Sequence, residues 1–258
     1  METINKPICL IVDAMHESIF SLLEAAGWRY DYYPDITRAE IKQKHKGYDG
    51  LIVRSKTTID SDLLGNNPTV KFIGRAGAGI DNLDQAYLEG KNIHIIAAAE
   101  GNRDAVAEYA VGALLSLMRN IPRANDEVRR GVWNREGNRG MELMHKTVGI
   151  IGYGNMGSNF ARRLSGFSCK VLAYDKYKTN YADSYAQPVD MQTIFAEADI
   201  LSLHIPLTAE TRMMVDESYL RQFSKNIIII NTARGEILSL ADLVRTMQSG
   251  KVTGAVLD

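Results

Sequence analysis

Three glycines with the spacing Gly-x-Gly-x-x-Gly lie in the middle of the sequence, at Gly152, Gly154 and Gly157. They follow a short apolar run that predicts a buried strand, and the residues after them predict a helix. Glycine at these positions permits a tight turn, a close approach of a phosphate to the backbone, and close packing of helix on strand. The free amides of the first helical turn, at Asn155 and Met156, would then bind a pyrophosphate group.

A second apolar run, Val171 to Tyr174, ends at Asp175, eighteen residues after Gly157. An acidic residue at this point can accept hydrogen bonds from ribose hydroxyls, and its charge repels a 2′-phosphate. The complete pattern predicts a dinucleotide site and favours NAD over NADP. Lys176 and Lys178 follow directly and could attract a 2′-phosphate, which weakens that preference. The alternative is a glycine turn that serves packing alone.

Arg234 is the clearest candidate for catalysis. It follows four consecutive isoleucines, which predict a deeply buried strand. In an open parallel sheet, ligands bind beyond the carboxyl ends of the strands. A guanidinium there could hold a substrate carboxylate with two hydrogen bonds and polarise the adjacent carbonyl. The alternative is a solvated arginine in a turn that enters a helix.

Other polar residues also follow predicted strands. Arg54 and Ser55 follow one strand, and the segment Arg75-Ala-Gly-Ala-Gly79 follows the next. The glycine-rich segment would offer backbone amides in an anion-binding nest together with a second cation. A purely structural glycine turn is the alternative.

The histidines and cysteines give a smaller set of candidates. Among the five histidines, His204 alone ends a strand of the dinucleotide unit, and we expect it to border the cofactor rather than to act as the general acid. His16 and His45 fall in predicted surface helices, and we expect both to be solvated. Cys9 and Cys169 lie in or beside apolar runs without a Cys-x-x-Cys pattern, so we expect free thiols and no metal site.

Composition narrows the class of protein. The chain has 258 residues, of which 45% are hydrophobic and 24% charged, with a formal net charge of −1. These values are ordinary for a globular protein of one or two domains and give no electrostatic case for nucleic acid or a membrane surface as partner. No apolar run reaches about 18 residues, and the first residues do not form a signal peptide. We therefore expect a cytoplasmic protein.

The elements that must position these residues form two α/β units. Strands and short helices alternate through residues 1–100, which predicts a parallel sheet that is covered on both faces. A long helical pattern from Arg103 to Arg130 follows, with a break near Asn120 because proline stands at position 122. Residues 101–258 predict a Rossmann NAD-binding domain, so the fold expected is two doubly wound parallel-sheet domains joined by a long helix. The predicted strands of the first domain are Ile8 to Val12, Arg29 to Tyr32, Gly50 to Val53, Phe72 to Gly74 and Ile93 to Ile96.

Taken together, these motifs resemble the D-isomer-specific 2-hydroxyacid dehydrogenase family, over essentially the whole chain. The segments that carry the resemblance are Val53-Arg-Ser55, Gly-Arg-Ala-Gly-Ala-Gly-Ile-Asp-Asn-Leu-Asp84, Asn102 to Ala107, Gly-Tyr-Gly-Asn-Met-Gly157 with Asp175, Ser-Leu-His-Ile-Pro-Leu-Thr208 with Glu210-Thr211, Asn-Thr-Ala-Arg-Gly235 and Gly-Ala-Val-Leu-Asp258.

The resemblance implies that residues 1–100 form a flavodoxin-like substrate-binding domain, and it also implies roles for individual residues. Arg234 would bind the 2-hydroxy or 2-keto acid as the catalytic residue. Further substrate-binding residues would be Arg54, Ser55, Arg75, Gly77, Ala78, Gly79 and Asn102. NAD would be held by Gly152, Gly154, Asn155, Met156, Gly157, Asp175, His204, Pro206, Thr211, Thr232, Ala233 and Asp258.

Within the family, Arg54-Ser55 and Gly-Arg75-Ala-Gly look most like the 3-phosphoglycerate dehydrogenases of serine biosynthesis, because two arginines suit a doubly anionic substrate. Glyoxylate, hydroxypyruvate or lactate as substrate stays an alternative. Another alternative is a non-catalytic, NAD-sensing binding protein on the same fold. The family's glutamate and histidine would lie beyond Asp258, so we expect these 258 residues alone to bind NAD without turnover.

The resemblance also suggests a homodimer or higher homo-oligomer, assembled through residues 103–140. Basic residues of the loop at positions 129–139 could then add a phosphate contact from a partner subunit.

Overall fold

The computed structural model describes residues 6–258, and the expectation about the first residues of the chain therefore falls largely outside the described part. The chain divides into two compact units, with the boundary between Asn102 and Arg103. Each unit is an α/β structure with its own parallel sheet. The fold class of two doubly wound parallel-sheet domains is confirmed. Within the described residues, no helix is long and apolar enough to cross a membrane.

The first unit contains five parallel strands in the order β2-β1-β3-β4-β5. The strands are β1 Ile8–Ile11, β2 Arg29–Tyr32, β3 Gly50–Val53, β4 Phe72–Arg75 and β5 His94–Ala97. The α-helices between them are α1 Ser18–Ala25, α2 Arg38–Lys44, α3 Ser61–Leu64 and α4 Gln85–Gly90. Every strand predicted for this unit is present, within one residue of its predicted ends.

Both faces of the first sheet are covered, as the apolar character of its strands requires. Successive residues of a strand point to opposite faces. Leu10 therefore packs in a core with residues of α2, α3 and α4, such as Ile41. Cys9 and Ile11 pack on the other face, where Phe20 of α1 contacts them.

The second unit contains six parallel strands in the order β11-β10-β9-β6-β7-β8. The strands are β6 Thr147–Ile151, β7 Lys170–Tyr174, β8 Gln187–Pro188, β9 Ile200–Leu203, β10 Ile227–Asn231 and β11 Val252–Leu257. The α-helices are α5 Arg103–Met118, α6 Ile121–Arg129, α7 Asn155–Leu164, α8 Met191–Glu197, α9 Glu217–Arg221 and α10 Leu240–Gln248.

Helices cover both faces of this sheet as well. Residues of α5 and α7 form one core with Ile150 of β6, and residues of α8, α9 and α10 form the other with Ile151. The predicted break in the long helix is confirmed: Asn120 has φ 55° between α5 and α6, and proline stands in the first turn of α6.

Two expectations about local structure were wrong or incomplete. His45 was expected to be solvated, but it lies in a 3-10 turn after α2, only 1% exposed, and burial lowers its pKa. The turn carries the side chain inward, away from the exposed helix face that the periodicity suggested. Helices α8 and α9 were not predicted, although Asp190 and Asp216 cap their first turns by accepting from backbone amides at 2.8 Å.

The cysteines are free thiols, with Cys9 buried and Cys169 half-buried. Burial, and secondarily the charge of Asp49, raises the pKa of the Cys9 thiol to about 12, so it is an unreactive core residue.

Candidate cofactor and substrate sites

The glycine loop of the second unit begins where β6 ends, between β7 and β9 in the sheet. Gly152 has φ +89°, and a Cβ added there would lie 2.5 Å from the carbonyl oxygen of His204. A Cβ added to Gly157 would lie 2.1 Å from the carbonyl oxygen of Gly152. Because both contacts are with backbone atoms, a side chain at either position would displace the loop.

Gly154 differs from these two glycines, because space is open where its Cβ would lie. It is the N-cap residue of α7. The first amides of an α-helix have no acceptor within the helix, so those of Asn155, Met156 and Gly157 are available to an anion above Gly154. The positive end of the helix dipole adds to this attraction. The arrangement suits a pyrophosphate.

A small polar pocket of about 190 Å³ adjoins this helix start. Arg103 at the start of α5 and Arg162 of α7 contribute positive charge to its wall, beside Asn155. Sequence reasoning missed both arginines as possible contributors. The available signal was spacing, since Arg162 follows Asn155 by seven residues and two helical turns bring them to the same face.

Asp175 follows β7, and backbone amides fix its carboxylate. One oxygen accepts from the amide of Tyr153 at 2.8 Å, and the other accepts from Tyr177 at 3.0 Å and Lys178 at 3.1 Å. A carboxylate offers about four acceptor positions, so capacity for a ribose hydroxyl remains. The Lys178 ammonium donates to the carbonyl oxygen of Tyr153 at 2.9 Å, which places a cation beside the same loop.

His204 follows β9 and is held in one orientation by its neighbours. Its Nε2 lies 2.8 Å from the hydroxyl of Ser202, and its ring centroid lies 5.3 Å from that of Phe160 in α7. Burial lowers the pKa of His204 to about 4, so the imidazole is neutral at neutral pH. A neutral, fixed imidazole suits a residue that borders a cofactor better than a proton donor.

The loop after His204 contains Pro206 and Thr211. The hydroxyl of Thr211 donates to the carbonyl oxygen of Pro206 at 2.7 Å and accepts from the amide of Thr208 at 2.8 Å. These bonds close a compact turn beside the glycine loop, on the side opposite Asp175.

The segment after β10 is ordered by Asn231, which is 2% exposed. Its side chain donates to the carbonyl oxygen of Arg234 at 2.8 Å and accepts from the amide of Ala233 at 3.1 Å. Its backbone carbonyl accepts from the amide of Asp258 at 3.1 Å, which joins the ends of β10 and β11. The hydroxyl of Thr232 is buried and has no hydrogen-bond partner among the described residues. A buried hydroxyl without a partner is unfavourable unless a ligand supplies one.

Most substrate candidates of the first unit lie at the carboxyl ends of β3 and β4, which are adjacent strands whose last residues, Val53 and Arg75, are paired. Arg54 follows β3, and Nη1 of Arg75 donates to the carbonyl oxygen of Ala76 at 3.1 Å. A Cβ on Gly77 would lie 1.6 Å from Nη1 of Arg75, so glycine is required for this position of the guanidinium. Ser55, Ala78 and Gly79 lie in the same two loops, whereas Asn102 lies in a separate turn after β5.

Asp13 is a residue of this site that sequence reasoning missed. It follows β1, is 4% exposed, and its carboxylate accepts from the backbone amide of Arg54. The Lys56 ammonium lies 3.9 Å from the other carboxylate oxygen. The acid at the end of an apolar strand was the available signal. Asp13 therefore fixes the backbone from which Arg54 projects.

The predicted cofactor residues thus lie at the carboxyl ends of the strands in the second sheet. Most of the predicted substrate residues lie at the carboxyl ends of the strands in the first sheet. Arg234 belongs to the second unit, where Nη1 donates to the carbonyl oxygen of Ala233 at 2.6 Å. Within residues 6–258, no group of three histidine, cysteine, aspartate or glutamate side chains is placed to hold a metal ion.

These residues fit a dinucleotide. Open space above Gly154 and the amides of α7 suit a phosphate, and the fixed carboxylate of Asp175 suits a ribose. The buried hydroxyl of Thr232 has room for a partner that a ligand can supply. Fold and site therefore define a dinucleotide-binding α/β protein.

Comparison with known proteins gives the family. Residues 111–258 match the model of the NAD binding domain of D-isomer specific 2-hydroxyacid dehydrogenases. The chain belongs to this family, and its second unit is an NAD-binding domain.

Three similar proteins show which enzymes this chain resembles. The chain is 34% identical over 252 residues to a D-3-phosphoglycerate dehydrogenase of Methanocaldococcus jannaschii, covering 96% of this chain and 48% of that protein. It is 38% identical over 210 residues to a hydroxypyruvate reductase of Thermotoga maritima, covering 81% of this chain and 68% of that protein. The solved structure of an NAD-dependent formate dehydrogenase of Staphylococcus aureus, in complex with NAD, matches with a TM-score of 0.80 and 26% identity. The match covers 98% of this chain and 81% of that chain. The chain spans about half the length of several phosphoglycerate dehydrogenases that it matches.

Proposed function

We propose that this protein is an NAD-dependent oxidoreductase of D-2-hydroxy acids, and that its substrate is D-3-phosphoglycerate, the starting compound of serine biosynthesis. The observation that carries the choice of substrate is the placement of Arg54 and Arg75 at the carboxyl ends of adjacent strands of the first unit, with Arg54 directly after β3 and Arg75 as the last residue of β4. Two guanidinium groups suit a substrate with both a carboxylate and a phosphate. The resemblance to phosphoglycerate dehydrogenases supports the same choice.

The residues of this chain have distinct parts in this proposal. Arg234 binds the 2-hydroxy or 2-keto acid and polarises the oxygen on its 2-carbon. His204, neutral at neutral pH, borders the nicotinamide, and Asp258 meets its carboxamide. The hydroxyl of Thr232 gains a partner in the bound dinucleotide. When bound, NAD supplies the hydride acceptor for oxidation of the 2-carbon.

Initial-rate assays of the protein from the complete gene test the proposal. NADH formation is measured with D-3-phosphoglycerate, D-glycerate, D-lactate and glycolate, and NADH consumption with hydroxypyruvate and glyoxylate. We expect the highest kcat/KM for phosphoglycerate. Arg75→Ala should lower kcat/KM for phosphoglycerate far more than for the unphosphorylated acids. Lys71→Ala, an exposed position directly before β4, is the control. Equal losses for all acids would refute a phosphate contact by Arg75.

A hydroxypyruvate or glyoxylate reductase is the second candidate, favoured by the resemblance to the Thermotoga maritima protein. A higher kcat/KM with hydroxypyruvate than with phosphoglycerate would establish it. NAD binding without turnover of any of these acids would instead favour the NAD-sensing binding protein.

We also propose a cytoplasmic homodimer or higher homo-oligomer, assembled through the 103–140 region. Apolar side chains are exposed along α6 and the loop after it, including Val128, Val132 and Trp133, which is 83% exposed. Exposed apolar side chains that lie close together in the sequence in this way are typical of a surface that contacts another chain. Light scattering should show a smaller mass for Trp133→Ala, whereas Leu240→Ala, an exposed position on α10, should leave the mass unchanged.

A further inference from the structure

Two loops of the second unit are joined by side chains on either side of the glycine loop. The sheet order places β6 between β7 and β9, so the loop after β6 lies between those that follow β7 and β9. The Lys176 ammonium, from the loop after β7, forms an ion pair with Glu210, from the loop after β9. The hydroxyl of Tyr177 donates to the other carboxylate oxygen of Glu210 at 3.3 Å. These three residues form a bridge between the loops.

Both members of the ion pair are charged at neutral pH. The hydrogen bond from Lys176 lowers the pKa of Glu210, and Glu210 in turn raises the pKa of Lys176. The two side chains are 55% and 52% exposed, so the pair adds little to stability. The ion pair matters because it holds the charge of Lys176 at a particular position, next to Glu210.

The bridge adjoins the place where a ribose would meet Asp175. Asp175 and Lys178 both contact Tyr153 of the glycine loop, as described above. Asp175 and Glu210 contribute two negative charges to this region, and Lys176 and Lys178 contribute two positive charges. The four charges balance, and without Glu210 the sum would be one positive charge.

We propose that Glu210 is a specificity-determining positioning residue that, by pairing with Lys176, withholds the lysine charge from a 2′-phosphate and so favours NAD over NADP. This inference rests on the proposed function in one respect, namely that the second unit binds a dinucleotide, and it does not depend on which acid is the substrate. A 2′-phosphate carries roughly −1.5 to −2 charges, so an unpaired Lys176 beside Lys178 would attract it despite Asp175. The exposed pair is therefore a device for specificity.

Equilibrium binding of NADH and NADPH, measured by the fluorescence of each dinucleotide, tests this assignment without recourse to activity. The quantity compared is the ratio of the Kd for NADPH to the Kd for NADH. Glu210→Gln should lower this ratio roughly threefold to tenfold at about 50 mM salt, with a smaller effect at about 300 mM because exposed charges are screened. Lys176→Gln should raise the ratio, and the double variant should return it to near the wild-type value.

Glu197→Gln is the matched control. Glu197 pairs with Lys170 at the opposite end of β7, with side-chain exposures of 43% and 47%. Its removal changes the net charge by the same amount, away from the glycine loop, and should leave the ratio unchanged. If Glu210→Gln does not fold, as judged by circular dichroism and Tm, the comparison of Lys176→Gln with the double variant decides: the ratio should be higher in Lys176→Gln, and an equal ratio would overturn the assignment.

Three results would overturn the assignment. The first is an unchanged ratio of the two Kd values in Glu210→Gln. The second is an equal weakening of NADH and NADPH binding in Glu210→Gln, which would mean that the bridge merely orders the loops. The third is a change of the ratio in Glu197→Gln as large as that in Glu210→Gln. If the wild-type protein bound neither dinucleotide, the proposed function would fail together with this inference. Wild-type binding combined with any of the three results overturns the inference alone.

Discussion

The glycine loop allows stability and cofactor binding to be separated by two substitutions of the same size. Gly157→Ala places a methyl group 2.1 Å from the carbonyl oxygen of Gly152, and contacts under 3.0 Å are essentially never seen for a real Cβ. The loop or helix α7 must therefore move by about 1 Å, and overpacking of this kind costs about 1–3 kcal/mol. Gly154→Ala meets no protein atom within 4 Å, so the folded chain should accept it without strain.

The two variants are expected to differ in thermal unfolding. Gly157→Ala should lower Tm by roughly 2–12 °C, given about 1–3 kcal/mol and about 2–4 °C per kcal/mol for a protein of this size. Gly154→Ala should leave Tm within about 1 °C of the wild type. Both should weaken NADH binding about tenfold or more, measured by fluorescence titration, because the methyl group that Gly154→Ala adds would occupy the place of the pyrophosphate and Gly157→Ala would displace the loop.

Gly166→Ala is the control, because Gly166 also has open space around its Cβ position but lies beyond α7, away from the loop. It should change neither Tm nor the Kd for NADH. If Gly154→Ala bound NADH as tightly as the wild type, the pyrophosphate would not lie above Gly154. If Gly157→Ala kept both its Tm and its affinity, the close contact with Gly152 would not constrain the loop.

Three further predictions concern buried polar groups. Thr232→Val should keep or slightly raise the free energy of unfolding, because it removes a hydroxyl without a partner, while weakening NADH binding measured by titration. Burial lowers the pKa of His204 from 6.5 to about 4, so the unfolded state binds more protons in this range and stability is lost as pH falls through it. Urea unfolding should show up to about 2 kcal/mol less stability at about pH 5 than at about pH 7, and His204→Gln should reduce the difference. Asp13→Ala should destabilise the first unit by about 1–3 kcal/mol in the same assay, since the amide of Arg54 loses its acceptor, whereas Asp35→Ala, at an exposed position, should have no effect.

The fold could be predicted from the sequence because its signals are local. Runs of apolar residues such as Ile227 to Ile230 mark strands that are buried on both faces, and proline at position 122 marks the helix break. The close contacts at Gly152 and Gly157 follow from the same local logic, since only glycine permits the turn that joins β6 to α7. The spacing of residues was therefore enough to predict a site that is built from the backbone of one strand, one turn and one helix.

Side-chain partners distant in the chain could not be predicted in this way. Asp13 accepts from an amide 41 residues further on, and Glu210 pairs with a lysine 34 residues before it. Neither contact has a periodic signal, because each depends on the order in which the strands lie in the sheet.

The order of the strands also determines which partners the two lysines after Asp175 have. From sequence, Lys176 and Lys178 looked equivalent and both weakened the preference for NAD; in the structure one is paired with Glu210 and the other is fixed on the glycine loop. On this proposal the choice between NAD and NADP depends on a contact between loops as well as on the acidic residue, because Asp175 is only one of the four charges that a 2′-phosphate would meet.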